Sequence, residues 1–161
     1  EIPAQDIDDV SVSSTKIRTA LKNGELKTAN KYLGYPYLLN GIVVDGKKIG
    51  SKIGFPTANI NIEESYKLIP KTGVYIITAI IDESSYNGMM NIGFNPTVSG
   101  KKQTIEAHLF DFHENLYGKK ITVELLYFLR DEQKFLSVDE LIDQLKIDKE
   151  NAISFLANNP S

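Results

Sequence analysis

The stretch VYIITAIID, residues 74–82, is dominated by β-branched and aromatic side chains, which favour an extended strand. Five further stretches share this character: 38–45, 58–62, 86–92, 103–112 and 120–128. Glycines and prolines punctuate the sequence between them, as expected at turns. Six strands separated by turn signals predict a mainly β protein whose antiparallel sheet closes into a barrel.

Helical patterns flank the predicted strands. Ser14 can cap a helix that begins at Thr15, and a second helix is predicted over 25–33. After the strands, Ser137 and Glu140 have capping-box spacing, and Asp148 can cap a last helix that runs through Ala157. The expected layout is two short helices, a barrel, and two C-terminal helices packed outside it.

Composition excludes several classes of protein. The chain has 161 residues, a net charge of −3 and no cysteine. The acidic balance disfavours a nucleic-acid partner, and the missing thiols exclude disulfide scaffolds and cysteine nucleophiles. A membrane-spanning helix needs about 20 apolar residues, far more than the run at 74–81. The start EIPAQDIDDV lacks a secretory-signal pattern, so a cytoplasmic location without membrane partners is expected.

The stretch GKKIGSKIG, residues 46–54, combines three glycines with three lysines. Glycine lets backbone amides converge on an anion, so this loop is a candidate phosphate site. An ordinary turn with solvated lysines is the alternative, and the P-loop motif is absent. The candidate ATP and phosphate contacts in this loop are Gly46, Lys48, Gly50, Lys52 and Gly54.

Thr57 and Asn59 follow this loop and are two residues apart, so in a strand both would point to one face. Their oxygens suit Mg²⁺ and phosphate, although a turn with local hydrogen bonds would use the same residues. Glu106 alternates with the aliphatic residues of its predicted strand and is therefore available as a proton acceptor. Taken alone, a glutamate in such a strand is more often a surface residue than a catalytic one. His108 on the same face is interpreted as a structural histidine.

Several motifs in a fixed order resemble riboflavin kinases, and more narrowly the C-terminal kinase module of bacterial bifunctional riboflavin kinase/FAD synthetases. The resemblance covers roughly 38–156. Its motifs are GSKIGFPTAN (50–59), PKTGVY (70–75), NIGFNPT (91–97), EAHLFDF (106–112), LYGK (116–119) and FLRDEQKF (128–135).

The resemblance implies a six-stranded antiparallel Greek-key barrel and an enzyme that moves the γ-phosphoryl group of ATP to the ribityl 5′-hydroxyl of riboflavin, giving FMN and ADP. It implies that Thr57 and Asn59 bind Mg²⁺ and nucleotide, that Glu106 is the catalytic base, and that the glycine loop covers the phosphates. Ser51 replaces an arginine that the family often has, and Lys48 and Lys52 are the candidates to supply its charge. Candidate flavin contacts are Phe55, Asn95, Arg130 and Phe135. Arg130 could instead form an ion pair with Asp131 or Glu132. Phe135 could instead pack in the core.

The first residues suggest a second module. VSSTKIR, residues 12–18, resembles the last motif of the family's adenylyltransferase module. Residues 1–36 are therefore expected to be a remnant of that module with linker helices, and 37–161 the kinase domain. The HxGH motif of nucleotidyl transfer cannot be formed from His108 and His113. We expect a fragment of a longer enzyme, or a naturally shortened paralogue, that makes FMN but not FAD.

Two rival functions remain open at this point. A non-catalytic flavin sensor would use the same barrel, but the intact Thr57, Asn59 and Glu106 favour an enzyme. A barrel that binds single-stranded nucleic acid fits the strand count but not the acidic charge.

Overall fold

A computed structural model of the chain describes residues 4–44, 54–64 and 67–159. Within these ranges it contains six strands and three helices. The strands are β1 (Tyr37–Val44), β2 (Ala58–Ile62), β3 (Gly73–Ile81), β4 (Ser84–Thr97), β5 (Gly100–Leu109) and β6 (Lys120–Arg130). The helices are α1 (Ala4–Asn23), α2 (Leu26–Leu33) and α3 (Val138–Asn158).

The six strands form a closed barrel in the order β1-β2-β5-β4-β3-β6, and every pairing is antiparallel. The connections from β2 to β3 and from β5 to β6 pass across neighbouring strands, as in a Greek key. The predicted six-stranded antiparallel barrel is therefore confirmed.

Alternate side chains of each strand point inward and fill the barrel, because successive strand residues face opposite sides. On β3, Tyr75, Ile77 and Ala79 are fully buried in this core. The aliphatic residues that alternate with Glu106 on β5 belong to the same buried cluster. Those residues are Ile105, Ala107 and Leu109. Glu106 therefore faces outward, as predicted.

The N-terminal helices pack on the barrel and extend its core. Leu26 and Ala29 of α2 belong to the same buried cluster as the strand residues. Asn30 fixes this contact, since its Nδ2 donates to the Leu125 carbonyl at 3.0 Å and its Oδ1 accepts from the Tyr37 amide at 2.9 Å. Gly34 ends α2 in the left-handed conformation at φ 82°, as its sequence position predicts.

The predicted start of α1 is wrong. The helix begins at Ala4, so Ser14 lies within it and does not cap it. Residues 4–13 contain neither glycine nor proline, and nothing in that stretch stops a helix.

The C-terminal segment is one helix and not the predicted two. Ser137 caps α3 as expected, accepting from the Glu140 amide at 3.2 Å. Asp148, expected to cap a second helix, lies in the middle of α3 with 1% of its surface exposed. Its carboxylate pairs with Arg130 instead of a backbone amide, and the sequence from 138 to 158 contains no helix breaker.

The β4–β5 hairpin also departs from the predicted bounds. β4 continues to Thr97 through Pro96, which pairs with Lys101 in an exposed extension of the hairpin. A proline is tolerated at such an edge, where its missing N–H is not needed. β5 ends at Leu109 and not at Phe112, since Asp111 adopts a turn conformation at φ 54°.

Candidate active site

A cavity of about 360 Å³ lies on the outside of the barrel. Its floor is formed by the outward faces of β3, β4 and β5, and its sides by the segment before β2, the chain after β6, and α3. Among the lining residues are five sequence-predicted site residues besides Glu106: Phe55, Thr57, Asn95, Arg130 and Phe135.

Three polar residues form a row across adjacent strands; two of them, Glu106 and Asn91, line the cavity, and the third, Asn59, is not among its lining residues. Glu106 of β5 lies opposite Asn59 of β2 on one side and opposite Asn91 of β4 on the other. Residues paired in this way present their side chains to the same face, with Cβ atoms about 5 Å apart. The half-buried Glu106 is therefore flanked by two amides on a rigid sheet surface.

The same row continues across the barrel surface to the far wall of the cavity. Asn91 lies opposite Val74 of β3, and Val74 lies opposite Arg130 at the end of β6. The Arg130 guanidinium forms a fork on Asp148, with Nε 2.9 Å from Oδ1 and Nη2 2.8 Å from Oδ2. The ion-pair partner of Arg130 is thus a distant residue on α3, and not the neighbouring acid expected from the sequence.

The segment before β2 is attached to β5 through His108. The ring Nδ1 donates to the Pro56 carbonyl at 2.7 Å, and 8% of the residue is exposed. This geometry agrees with the interpretation of His108 as a structural histidine. Burial lowers the pKa of His108, and the positive charge of Lys149 lowers it further, while the hydrogen bond to Pro56 opposes both.

Thr57 follows Pro56 and lines the cavity. β2 begins one residue later, at Ala58, so Thr57 is exposed at the entrance to the strand while Asn59 is half-buried within it. The prediction that one strand carries both residues is therefore correct only for Asn59. The His108 bond holds the Thr57 segment against β5, and Asn59 is paired with Glu106 of that strand.

An apolar wall adjoins the polar row. Phe55 meets the His108 ring edge-on at 5.3 Å between centroids, and His108 meets Phe110 in the same way at 5.8 Å. Phe55 also belongs to a small buried cluster with Val74 and Met89, against which Leu145 of α3 packs. The cavity is thus apolar on one side and polar on the other.

The chain after β6 supplies residues that the sequence interpretation did not select. Glu132 and Gln133 line the cavity, as do Asn91 and the α3 residues Leu141 and Leu145. Glu132 lies against Gly93 of β4, where an added Cβ would collide with its carboxylate. Asn91, Glu132 and Gln133 all occur within motifs that carry the family resemblance, so the motifs themselves were the available signal.

The predicted phosphate loop is only partly described. Gly54 is exposed and has φ +85°, the left-handed conformation that glycine adopts at little cost. Gly46, Lys48, Gly50 and Lys52 lie outside the described residues, as does Ser51. Their assignment to phosphate binding stays a prediction.

A family model for riboflavin kinase (Flavokinase) matches residues 33–156, which is most of the chain. The chain belongs to the riboflavin kinase family. The bifunctional riboflavin kinase/FMN adenylyltransferase of Bacillus subtilis is 44% identical over 153 residues, covering 93% of this chain and 48% of that protein. The chain therefore spans about half the length of this curated relative.

Solved structures share the fold of this riboflavin kinase family member. A Streptococcus pneumoniae chain described as a macrolide-efflux protein superposes with a TM-score of 0.82 at 39% identity, over 92% of this chain and 47% of its own. The riboflavin kinase of Trypanosoma brucei superposes with a TM-score of 0.54 at 26% identity, over 78% and 82% of the two chains. The family model and the B. subtilis relative both name a kinase, and nothing in them favours the non-catalytic flavin sensor.

Among residues 4–44, 54–64 and 67–159, no helix is both long enough and apolar enough to cross a membrane.

Proposed function

We propose that the chain is an ATP:riboflavin 5′-phosphotransferase, which converts riboflavin and ATP to FMN and ADP. The observation that carries the proposal is the row Asn59–Glu106–Asn91, in which Glu106 and Asn91 line the outer cavity and Asn59 is paired with Glu106. This row offers a carboxylate flanked by neutral hydrogen-bonding groups, on rigid strands, beside a space sized for a small molecule.

Glu106 is the proposed proton acceptor. In the reaction the ribityl 5′-oxygen forms a bond to the γ-phosphorus, the bond from that phosphorus to the β,γ-bridging oxygen breaks, and ADP leaves. The hydroxyl proton passes to the Glu106 carboxylate. A carboxylate within hydrogen-bond reach of the hydroxyl makes the oxygen a better nucleophile as the bond forms. Its half-buried position limits competition from water.

Thr57 and Asn59 are the proposed protein ligands for Mg²⁺. Their hydroxyl and amide oxygens are hard donors of the kind Mg²⁺ prefers. Within the described ranges, no group of three histidine or acidic side chains could hold a metal without help. The two oxygens of Thr57 and Asn59 suit an ion that takes its other ligands from ATP phosphates and water. The bound cation would neutralise charge on the phosphates, which is the main requirement of phosphoryl transfer.

The cavity suits a partly apolar ligand of small-molecule size. Its volume of about 360 Å³ falls within the range of small-molecule sites, roughly 300–1,000 Å³. Phe55 lies on the apolar wall and Phe135 and Asn95 line the same space, so we assign all three to flavin binding. The glycine loop, residues 46–54, is assigned to the ATP phosphates.

We also propose how the chain relates to the longer enzymes. Residues 37–161 form the kinase unit, and residues 1–36 are what remains of an adenylyltransferase module that the full-length enzyme would carry. The B. subtilis relative, twice as long and named for both activities, supports this division.

A cytoplasmic location belongs to the proposal, because the proposed co-substrate is ATP and the chain carries no cysteine.

The test is to incubate the purified protein with riboflavin, ATP and Mg²⁺ and to separate the products by chromatography. We expect FMN and ADP in equal amounts, and neither product when Mg²⁺ is chelated. A protein that binds riboflavin while ATP remains intact would instead be a flavin sensor, and the proposal would be wrong.

A further inference from the structure

The geometry points to Arg130 and Asp148 as a pair of positioning residues: their ion pair fixes α3 as the outer wall of the cavity, and Arg130 thereby acts on riboflavin binding through Asp148. This inference rests on the proposed function, since it assumes that riboflavin occupies the cavity. It assigns to Arg130 a role different from the direct flavin contact predicted from the sequence.

All three nitrogens of the Arg130 guanidinium already have protein acceptors. Nε lies 2.9 and 3.1 Å from the two carboxylate oxygens of Asp148, and Nη2 lies 2.8 Å from Oδ2. Nη1 donates to the Asp131 carbonyl at 3.0 Å. Although Arg130 borders the cavity, three of its five N–H donors are directed at Asp148 of α3 and at the adjacent backbone carbonyl of Asp131.

Asp148 is equally committed to this arrangement. With 1% of its side chain exposed it cannot be solvated by bulk water, and Gln144 one turn earlier donates to its Oδ1 at 2.9 Å. A forked contact of this kind specifies both distance and orientation, because the planar guanidinium matches the carboxylate. The pair therefore fixes the rotation of α3 as well as its distance from β6.

The cavity depends on that part of α3. Leu145, three residues before Asp148, lines the cavity, and Leu141 lines it one turn further toward the start of the helix. The C-terminal half of α3 has other attachments, with Ala152 fully buried and Phe155 stacked on Tyr127 at 4.6 Å. On the side of α3 that faces the cavity, Leu145 packs against the buried cluster of Phe55, Val74 and Met89.

Stability alone does not account for such a pair. Burying two charges costs desolvation energy, and well-packed apolar residues are often at least as stabilising. A pair of apolar residues would not fix the orientation of α3 as the forked contact between guanidinium and carboxylate does. We therefore assign the pair to the placement of the wall that Leu141 and Leu145 present to the ligand.

A double-mutant cycle tests the assignment. Arg130→Gln, Asp148→Asn and the double variant are titrated with riboflavin, and Kd is read from the quenching of flavin fluorescence. We expect each single variant to raise Kd about tenfold. The double variant should raise it no further, because both substitutions break the same ion pair between β6 and α3. With saturating riboflavin, kcat should stay within about threefold of the wild-type value, so that the loss appears in KM.

Three results of this cycle would overturn the inference. Additive effects on Kd would mean that the residues act separately. A wild-type Kd in Asp148→Asn combined with a raised Kd in Arg130→Gln would mean that Arg130 touches the ligand itself. A wild-type protein that forms FMN while all three variants bind normally also rejects the inference and leaves the proposed function intact. A wild-type protein that binds riboflavin but forms no FMN rejects only the function.

The matched control is Asp131→Asn, which removes the adjacent ion pair between Lys71 and Asp131 at 2.8 Å. Both of those side chains are substantially exposed, so riboflavin affinity should not change. If the single variants do not fold, Arg130→Met combined with Asp148→Leu leaves no unpaired buried charge. We expect that protein to fold and to bind riboflavin weakly. Wild-type affinity in it would show that the pair contributes to stability alone and would reject the positioning role.

Discussion

Asn59 lies directly opposite Glu106 in the antiparallel pairing of β2 and β5, on the outer face of the barrel. This relationship joins the proposed metal-binding residue to the proposed base through the sheet itself, without an intervening loop. Strand-borne groups keep their separation better than groups carried on loops, which suits a reaction that depends mainly on positioning. The two residues are 47 positions apart in sequence, so the barrel topology creates the site.

Thr57→Ala and Asn59→Ala are expected to weaken productive binding of MgATP. Each removes one hard oxygen donor, and a cation held by few protein ligands is sensitive to such a loss. The Mg²⁺ concentration for half-maximal FMN formation should rise in both variants, and high Mg²⁺ should partly restore the rate in at least one. The measurement is initial rate against Mg²⁺ at fixed ATP.

The matched control for Asn59 is Asn61→Ala, an exposed residue of the same strand that is paired with Ile42 of β1 and not with Glu106. Its Mg²⁺ dependence should equal that of the wild type. If Thr57→Ala and Asn59→Ala also keep the wild-type dependence on Mg²⁺ and ATP, then these residues serve the structure and not the metal.

His108 should make the folded state less stable at acid pH. Its pKa is lowered in the folded protein, chiefly by burial, so the unfolded chain binds the proton more readily. The contribution to stability is complete above the unfolded value of about 6.5 and declines as pH falls from there toward the folded pKa. Urea unfolding at pH 7.5 and 5.5 should show a smaller loss of stability in His108→Asn, and an undiminished loss in that variant would contradict this account.

Leu26→Ala should strongly destabilise the protein, because Leu26 of α2 is 2% exposed within the barrel core. Truncating a buried leucine costs about 2–5 kcal/mol. The control is Leu136→Ala, at a side chain that is 97% exposed, where a change within about 0.5 kcal/mol is expected. Equal unfolding midpoints for the two variants in urea would mean that α2 contributes little to the fold.

The chain should form FMN but no FAD. Transfer of AMP to FMN requires a preorganised site for the α-phosphate and pyrophosphate, and the motif at 12–18 is the part of the adenylyltransferase module that the sequence resembles. Arg18, within the adenylyltransferase-like motif, is exposed, and Arg18→Ala should leave FMN formation within about twofold. Incubation with FMN, ATP and Mg²⁺ is the test, and sustained FAD production free of contaminating enzyme would refute this prediction.

Alternation along a strand was enough to predict the orientation of Glu106. Its aliphatic neighbours Ile105 and Ala107 identify the buried face, and the period of two then assigns Glu106 to the other. The same local reasoning could not pair Glu106 with Asn59 and Asn91, because register between strands depends on the whole barrel.

Long-range contacts explain the errors at Asp148 and Arg130. A helix cap is a local pattern, and Asp148 satisfies it in sequence, but Arg130 provides the buried carboxylate with a stronger partner 18 residues away. The closure of the cavity by α3 was missed for the same reason. Leu141 and Leu145 have ordinary helical spacing, which predicts a buried face without saying what covers it.

The central claim is that Glu106 accepts the proton of the attacking hydroxyl, and Glu106→Gln tests it most directly. The variant keeps the shape of the side chain, so riboflavin should bind with nearly the wild-type Kd while kcat for FMN formation falls about 10²-fold or more. Glu124→Gln, a half-buried glutamate on β6 that does not line the cavity, is the matched control and should keep its activity. Near-normal turnover in Glu106→Gln would contradict the account and remove Glu106 from the mechanism.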